Sequence, residues 1–278
     1  MKKNGTTRFY LSTASFFFWN KVYDPIYSID LISSLGLHGV CGLDIYIDPN
    51  RTEDFQSRLT NSHRDFLRTF VGNCIHTDFW GQKWLEAPDV HEMRNIFSSI
   101  AETAEAVGTK DVVIHGDFLN KEAKQRLYLL RDALPDFRIS LELMGKDKVF
   151  FTHPEHLLYL LELDPSLYFT PDLAHMQDWE NEYDWQKIFL DPLIRRRIFL
   201  VHVSHHMRNL MGNWYQENGH QECESAIHGL MQCNPENCNS ALKTIISNFV
   251  IVLEGILPKT DNVQEILNRE MQVWSSDF

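Results

Sequence analysis

The chain has 278 residues, a net charge of −12 and a hydrophobic fraction of 44%. The length suits one α/β barrel domain of about 250 residues, so a single domain over residues 1–278 is expected. No segment approaches the ~20 consecutive apolar residues of a membrane span, and the acidic balance disfavours nucleic-acid binding through charge alone.

In the first half of the chain, strand-like and helix-like segments alternate. Short apolar runs predict strands over residues 9–15, 39–46, 73–76 and 111–115. Apolar residues at helical spacing predict helices over residues 26–35, 55–70 and 88–107. Gly36 and Gly108 follow two of these helices directly, as expected for helix ends.

The second half continues the alternation. Strands are predicted over residues 139–142, 167–171, 198–202 and 249–254. Helices are predicted over residues 123–134, 154–163, 185–196, 240–247 and 263–274, with an irregular stretch over residues 204–239. Eight strand-helix units in order are the pattern of an α/β protein with a single (β/α)8 TIM barrel.

Six of the predicted strands end in residues that can bind metal ions. Pro171 stops the sixth strand, so Asp172 is placed at its carboxyl end and His175 in the turn that follows. The other strand ends carry His76, His115, Glu142, His202 and Glu254. Since the carboxyl ends of barrel strands converge on the active site, these side chains are expected to share one site.

Glutamates within apolar strands are the strongest sign of a metal site. Burying a carboxylate costs several kcal/mol unless it is paired or metal-bound, and Glu142 and Glu254 are both in that position. Mixed carboxylate and imidazole ligands favour zinc or manganese, with iron, cobalt or magnesium as alternatives. The number of candidate ligands exceeds the need of one ion, so one to three ions per chain are expected.

These strand-end residues resemble those of the xylose isomerase-like barrel superfamily, which includes sugar isomerases, ketose epimerases and endonuclease IV-type apurinic endonucleases. In that superfamily one metal is held by a glutamate on strand five, an aspartate on strand six, a histidine on strand seven and a glutamate on strand eight. The matching residues here are Glu142, Asp172, His202 and Glu254.

The endonuclease IV branch has further ligands, and most of them have counterparts here. The resemblance implies additional metal ligands at His76, His115, His175 and His220. Asn218 stands where that branch has an aspartate, and a neutral amide is a poorer ligand for a third ion. The epimerase branch instead has an arginine six residues after the strand-seven histidine, which Arg208 matches, together with His175.

Three reaction classes follow from these alternatives. A multinuclear site favours phosphoester hydrolysis, with Glu142 as the bridging ligand and Glu142 or Glu254 as the proton acceptor. A single metal favours isomerisation or epimerisation of a sugar or sugar phosphate, with Glu142 and Glu254 moving the proton while His175 and Arg208 hold the substrate. A histidine-rich site filled with iron would suit oxidation of a small molecule or peptide.

The five cysteines form no close pairs and predict reduced thiols, in keeping with a cytoplasmic protein. Cys41 and Cys74 lie in apolar runs and are expected to be buried. Another hypothesis is a small zinc site in the irregular stretch. It would involve Cys223, Cys233, Cys238, His220 and His228.

Overall fold

The computed structural model describes residues 7–20, 22–77, 89–119, 123–144, 154–176, 182–206, 228–233 and 240–275. Its centre is a sheet of eight parallel strands. The strands are β1 (Arg8–Ser12), β2 (Gly42–Tyr46), β3 (Gly72–Thr77), β4 (Asp111–His115), β5 (Arg138–Leu143), β6 (Tyr168–Pro171), β7 (Leu200–Val203) and β8 (Val250–Leu253).

The strands are ordered as in a closed barrel. Consecutive strands from β1 to β6 pair with one another, while β8 pairs with both β1 and β7. Between β6 and β7 the barrel closes through two bridges, Phe169 with Ile198 and Asp172 with His202. The structure therefore confirms the predicted (β/α)8 TIM barrel.

The helices of the described residues are short to medium in length. They are α1 (Pro25–Leu35), α2 (Thr52–Arg58), α3 (Asn61–Leu67), α4 (Val90–Ala106), α5 (Ala123–Ala133), α6 (Pro154–Leu163), α7 (Leu173–Met176), α8 (Glu182–Leu190), α9 (Pro192–Arg195), α10 (Ser240–Ile246) and α11 (Val263–Trp274). None of them has both the length and the apolar character needed to cross a bilayer.

Capping explains where the helices begin and end. The Asp24 carboxylate accepts hydrogen bonds from the backbone N–H groups of Ile26 and Tyr27, and Pro25 occupies the first helical position of α1. The helix ends at Gly36, whose φ of +58° lies in the left-handed region that glycine tolerates.

Two helices predicted as continuous are each split in two. The segment predicted as one helix over residues 55–70 divides because Thr60 caps a new helix, with its hydroxyl and the His63 ring bonding to each other's backbone N–H. The helix predicted over residues 185–196 divides because Asp191 caps α9 and Pro192 begins it. In both places the local cap outweighs the continuous apolar spacing.

The interior of the barrel changes from apolar to polar along its axis. Tyr10, Cys74, Val113, Leu200, Val250 and Val252 form a small buried cluster inside the strands. Gly42 and Gly72 make room for the Tyr10 side chain, because a Cβ atom at either glycine would lie within 2.5 Å of it. Alternate residues further along each strand point to the same interior, so the polar strand-end side chains lie above an apolar plug.

A larger apolar core fills the space between the strands and the surrounding helices. One buried carboxylate there, Glu270 on α11, accepts hydrogen bonds from the backbone N–H groups of Met231 and Gln232 at 2.8 and 2.9 Å. It also accepts from the side chains of Gln232 and Trp274. Glu270 thus attaches the segment that follows His228 to the last helix.

We expect Glu270→Gln to lower the free energy of unfolding by about 1–3 kcal/mol, because an amide nitrogen would face a backbone N–H that needs an acceptor. Urea denaturation measures the change. Glu265→Gln is the matched control, since Glu265 lies on the same helix in an exposed ion pair with Arg269. Equal stability of the two variants would contradict the proposed role of Glu270.

Candidate metal centre

The carboxyl ends of the strands bring six predicted ligands to one place. These side chains lie at or directly after the ends of six different strands and are all buried: His76, His115, Glu142, Asp172, His202 and Glu254. They fall into two adjacent groups that share Glu142. We call these groups subsite A (His76, His115 and Glu142) and subsite B (Glu142, Asp172, His202 and Glu254).

In subsite B, each of the four side chains offers one ligand atom, and these atoms all lie within 4.8 Å of one another. His202 stands between the two glutamates, with its Nδ1 atom 3.4 Å from Glu254 Oε2 and 3.6 Å from Glu142 Oε1. Asp172 is held by the backbone N–H groups of Ala174 and His175, which both bond to its Oδ1 atom. Its Oδ2 atom remains available to a ligand.

In subsite A, two imidazoles face one carboxylate oxygen. His76 Nε2 lies 2.7 Å from Glu142 Oε2, and His115 Nε2 lies 3.4 Å from the same atom. The two ring nitrogens are 3.0 Å apart. Because His115 pairs with Glu142 across neighbouring strands, the register of β4 and β5 fixes this arrangement.

Several buried oxygen atoms of the two subsites have no aligned hydrogen-bond donor among the described residues. They are Glu142 Oε2, Asp172 Oδ2 and Glu254 Oε2. Unpaired buried carboxylate oxygens are costly, and coordination of a cation would offset that cost. Oxygen and imidazole nitrogen together form a donor set that suits divalent transition metals. The residues therefore fit metal ions.

Opposite charges dominate the electrostatics of the site. Burial raises the pKa of Glu142, but the surrounding histidines outweigh burial and hold the pKa well below its usual range. Burial lowers the pKa of His202, but Glu254 and Glu142 outweigh it and hold the pKa well above its usual range. The pKa of His76 is likewise raised, by Asp44 and Glu142 against burial.

Two other groups of the site show the opposite pKa shifts: the pKa of one histidine is lowered and that of one carboxylate is raised. Burial lowers the pKa of His115 to about 3, so that ring is neutral near pH 7 and can offer a lone pair. Burial and the nearby Glu254 carboxylate raise the pKa of Asp172 well above its usual range. A bound cation would reverse that effect by favouring the charged carboxylate.

A third group of possible ligands lies towards the rim. His175 Nε2 is 3.7 Å from Asp172 Oδ2, and the rings of His175 and His228 meet edge to face at 5.3 Å. These three side chains could also hold an ion. The predicted residues Arg208, Asn218 and His220 lie outside the described residues.

Sequence reasoning missed two residues of the site. Asp44 in β2 is fully buried and contacts His76. It lies within an apolar strand, as Glu142 does, and that signal would have revealed it. His228, predicted only as part of a cysteine-rich zinc site, instead lies 3.6 Å from Glu254 in a short antiparallel pairing of His205–His206 with His228–Gly229. No local sequence pattern indicates that pairing.

The cysteine predictions have mixed outcomes. Cys74 is buried as predicted, whereas Cys41 is only partly buried, which corrects the prediction for that residue. Cys41 lies just before β2, and the strand itself begins at Gly42. Cys223 and Cys238 lie outside the described residues, so the proposed cysteine-rich zinc site stays a prediction.

A row of aromatic rings leads from the surface to subsite A. The exposed Phe17 stacks on Tyr23 at 5.7 Å between ring centroids, and Tyr23 contacts Tyr46 at 5.4 Å. Tyr46 in turn meets the His76 ring at 5.3 Å. Only the Phe17–Tyr23 contact is stacked; the other two are edge to face, so the row connects the surface with subsite A through rings of alternating orientation.

The pKa shifts predict how the stability of the metal-free protein depends on pH. The raised pKa values of His76 and His202 stabilise the fold fully below about pH 6.5, and that contribution is lost as the pH rises. The lowered pKa values of Glu142 and Glu254 stabilise the fold above about pH 4.5, and this contribution is lost only in acid. The lowered pKa of His115 has the opposite effect on stability and partly offsets the contribution of His76 and His202.

With chelator present, we therefore expect the melting temperature to fall between about pH 6 and about pH 8. Added zinc or manganese should raise it by an amount that grows with pH, because metal binding must displace protons from the two histidines. Differential scanning calorimetry measures both effects. His91→Gln, which removes an exposed imidazole in the first turn of α4, is the control. A metal effect that shrinks with rising pH would contradict the prediction.

Comparisons with known proteins reveal the fold but no close relative. No family model matches the sequence, and no curated protein matches it. Endonuclease IV from Thermus thermophilus has a similar structure, with a TM-score of 0.56, 16% identity and coverage of 96% of this chain and 98% of the other. Two further enzymes are comparably similar.

The first is the probable 3-DHS dehydratase AsbF from Bacillus anthracis, with a TM-score of 0.60, 13% identity and coverage of 96% and 98% of the two chains. The second is D-allulose 3-epimerase from Methylomonas sp., with a TM-score of 0.59, 13% identity and coverage of 99% and 92%. A xylose isomerase-like TIM barrel protein from Mycobacterium smegmatis, solved with magnesium, also matches. The chain thus shares the TIM-barrel fold of these proteins.

Proposed function

We propose that the chain is a divalent-metal-dependent barrel enzyme, with phosphoester hydrolysis as its reaction. One observation carries this proposal: subsites A and B lie side by side and share Glu142. In an enzyme that needs only one ion, a second group of buried ligands would have to serve structure or substrate binding instead. His76 and His115 form such a group next to the four residues of subsite B.

The residues of the two subsites would hold two ions, of which zinc or manganese suits the mixed donor set best. Such ions, when bound, activate a water molecule and neutralise the charge of a phosphoryl group. Glu142 would contribute one oxygen to each subsite, because its two oxygen atoms face different histidines. The rim group of Asp172, His175 and His228 offers a place for a third ion.

The chain's own side chains would share the remaining chemistry. The Oε2 atom of Glu254 accepts no well-aligned hydrogen bond from the described residues, so Glu254 is the best candidate to accept the proton of the attacking water. His175, nearer the rim, is placed to donate a hydrogen bond to a phosphoryl oxygen. The Phe17–Tyr23–Tyr46 row would contact an apolar or ring-shaped part of the substrate.

The net charge argues for a small phosphoester rather than a nucleic acid. At −12 the chain repels polyanions overall, so the phosphate backbone would gain little nonspecific affinity. The structural similarity to endonuclease IV is consistent with phosphoester chemistry, but at 16% identity it concerns the fold alone. We therefore propose a small-molecule substrate.

Metal analysis of the purified protein, combined with activity assays, tests this proposal. We expect about two zinc or manganese ions per chain and release of phosphate or alcohol from model phosphoesters such as bis(p-nitrophenyl) phosphate. A coloured protein containing iron would instead indicate the oxidative class. Protein that binds no divalent ion would refute the proposal.

A second candidate function is isomerisation or epimerisation of a sugar or sugar phosphate. The observation that favours it is the position of His202 between Glu142 and Glu254, which leaves two carboxylates on either side of one subsite. Such a pair can move a proton between two faces of a bound sugar. His175 and Arg208 would hold the substrate oxygens. One ion per chain and conversion of ketoses would favour this reaction.

A further inference from the structure

Asp44 is a buried carboxylate that the proposed chemistry does not use. Ser12, Asp44 and Cys74 are directly opposite one another on the neighbouring strands β1, β2 and β3. Ser12 Oγ donates a hydrogen bond to Asp44 Oδ2 at 2.9 Å, and Cys74 Sγ donates to Oδ1 at 3.1 Å. Two neighbours thus fix the orientation of the carboxylate inside the barrel.

The same carboxylate determines which nitrogen of His76 is free. His76 Nδ1 lies 3.1 Å from Asp44 Oδ2. A carboxylate only accepts hydrogen bonds, so the Nδ1 atom that faces Asp44 carries a proton. By the same rule Nε2, 2.7 Å from Glu142 Oε2, can carry a proton in the metal-free ring. A cation in subsite A would take the place of the Nε2 proton, and the ring would keep the Nδ1 proton that faces Asp44. In metal sites, a second partner of this kind fixes the ring and strengthens the ligand.

Asp44 also faces the histidine of the other subsite. His202 Nε2 lies 3.9 Å from Asp44 Oδ1, too far for a hydrogen bond but close enough for an electrostatic interaction, while its Nδ1 atom faces Glu142 and Glu254. One carboxylate thus stands behind two imidazoles that belong to different subsites. Both rings turn one nitrogen towards Asp44 and the other towards the oxygen atoms of Glu142.

Asp44, His76 and His202 also offer ligand atoms close enough to hold an ion, but both oxygen atoms of Asp44 already accept hydrogen bonds. Oδ2 accepts from Ser12 and His76, and Oδ1 accepts from Cys74. Two oxygen atoms that face subsite B, Asp172 Oδ2 and Glu254 Oε2, have no such donors among the described residues. Glu142 Oε2 faces the two imidazoles of subsite A. Asp44 therefore accepts hydrogen bonds from its neighbours, whereas these two oxygen atoms of subsite B can bind a cation.

We infer that Asp44 is a positioning residue shared by both subsites: it orients His76 of subsite A by a hydrogen bond, acts on His202 of subsite B through the nearby charge of its carboxylate, and so couples the binding of the two ions. This inference rests on the proposed two-metal function. It adds that the two subsites are not independent, because a change at one carboxylate should weaken both of them.

The test is zinc binding by Asp44→Asn, measured by competition with a chromogenic chelator. Asparagine keeps the shape but replaces one acceptor oxygen by a donor nitrogen, so it cannot serve His76, Ser12 and Cys74 together. We expect zinc affinity to fall about 10- to 100-fold at both subsites while the wild type binds two ions. Asp111→Asn is the control, since Asp111 lies at the opposite end of a barrel strand in an ion pair with Arg138.

A second readout separates positioning from general damage to the fold. In long-range ¹H–¹⁵N spectra of the zinc-loaded wild type, the His76 ring should carry its proton on Nδ1, and in Asp44→Asn that preference should weaken. If Asp44→Asn does not fold, Ser12→Ala and Cys74→Ala each remove one support of the carboxylate, and we expect several-fold weaker zinc binding from each.

The outcomes distinguish this inference from the proposed function. If the wild type binds two ions and Asp44→Asn binds them equally tightly with an unchanged His76 proton, the inference is wrong and the proposed function stands. Loss of affinity at one subsite only would refute the coupling. A wild-type protein that binds no zinc or manganese would refute both.

Discussion

Glu142→Gln is expected to lower the metal content from two ions to at most one and to reduce phosphoester hydrolysis by at least about 10²- to 10³-fold. Glu142 is the one side chain that belongs to both subsites, with Oε2 facing His76 and His115 and Oε1 facing His202. An amide loses the negative charge and offers one oxygen instead of two. Both subsites should therefore weaken together.

Two measurements check this expectation: metal content by mass spectrometry after dialysis, and kcat with saturating zinc or manganese. Glu270→Gln provides the matched control, because it changes another fully buried glutamate that lies outside both subsites. That variant should lose stability but keep its two ions. A Glu142→Gln protein that retained two tightly bound ions would show that Glu142 is not shared.

The sequence predicts the barrel well because each strand can be recognised from its own residues. Short apolar runs bounded by polar residues and glycine identify all eight strands, and their carboxyl ends then share one rim by the topology of the fold. The buried glutamates carry most of the information about the site. Glu142 and Glu254 stand out because a charged residue in an apolar run is costly to bury unless it is paired or binds a metal ion.

Features that depend on pairing between distant segments were not predictable in this way. The contact of His228 with Glu254 requires the short pairing of His205–His206 with His228–Gly229, which joins the two ends of a long irregular stretch. The role of Asp44 depends on the register of β1, β2 and β3, which aligns it with Ser12 and Cys74. Register is set by the whole sheet rather than by any one strand.

The polar rim and the apolar plug below it have a common origin in the pleat of the strands. Residues two apart on a strand point to the same side, so Cys74 and His76 on β3, or Val113 and His115 on β4, lie one above the other inside the barrel. The lower residue of each pair excludes water, and the upper one offers a ligand. Low dielectric surroundings then strengthen the attraction between the ligands and a cation.

His115 is the residue that best separates hydrolysis from isomerisation. We expect His115→Ala to remove one ion and to reduce phosphoester hydrolysis by about 10²- to 10³-fold, because subsite A loses one of its two imidazoles. Subsite B keeps all four of its ligands, so a reaction that needs one ion should continue at a rate near that of the wild type. The same variant therefore gives opposite results for the two reactions.

The His115 ring is buried, so its removal leaves a cavity that could itself lower activity. His115→Leu fills most of that space without supplying a ligand, and it should behave like His115→Ala if ligation is the cause. His91→Ala, which removes an exposed imidazole from α4, should change neither metal content nor rate. Hydrolysis that survives in both His115 variants, with one ion still bound, would reject the two-metal mechanism and leave subsite B as the whole catalytic centre.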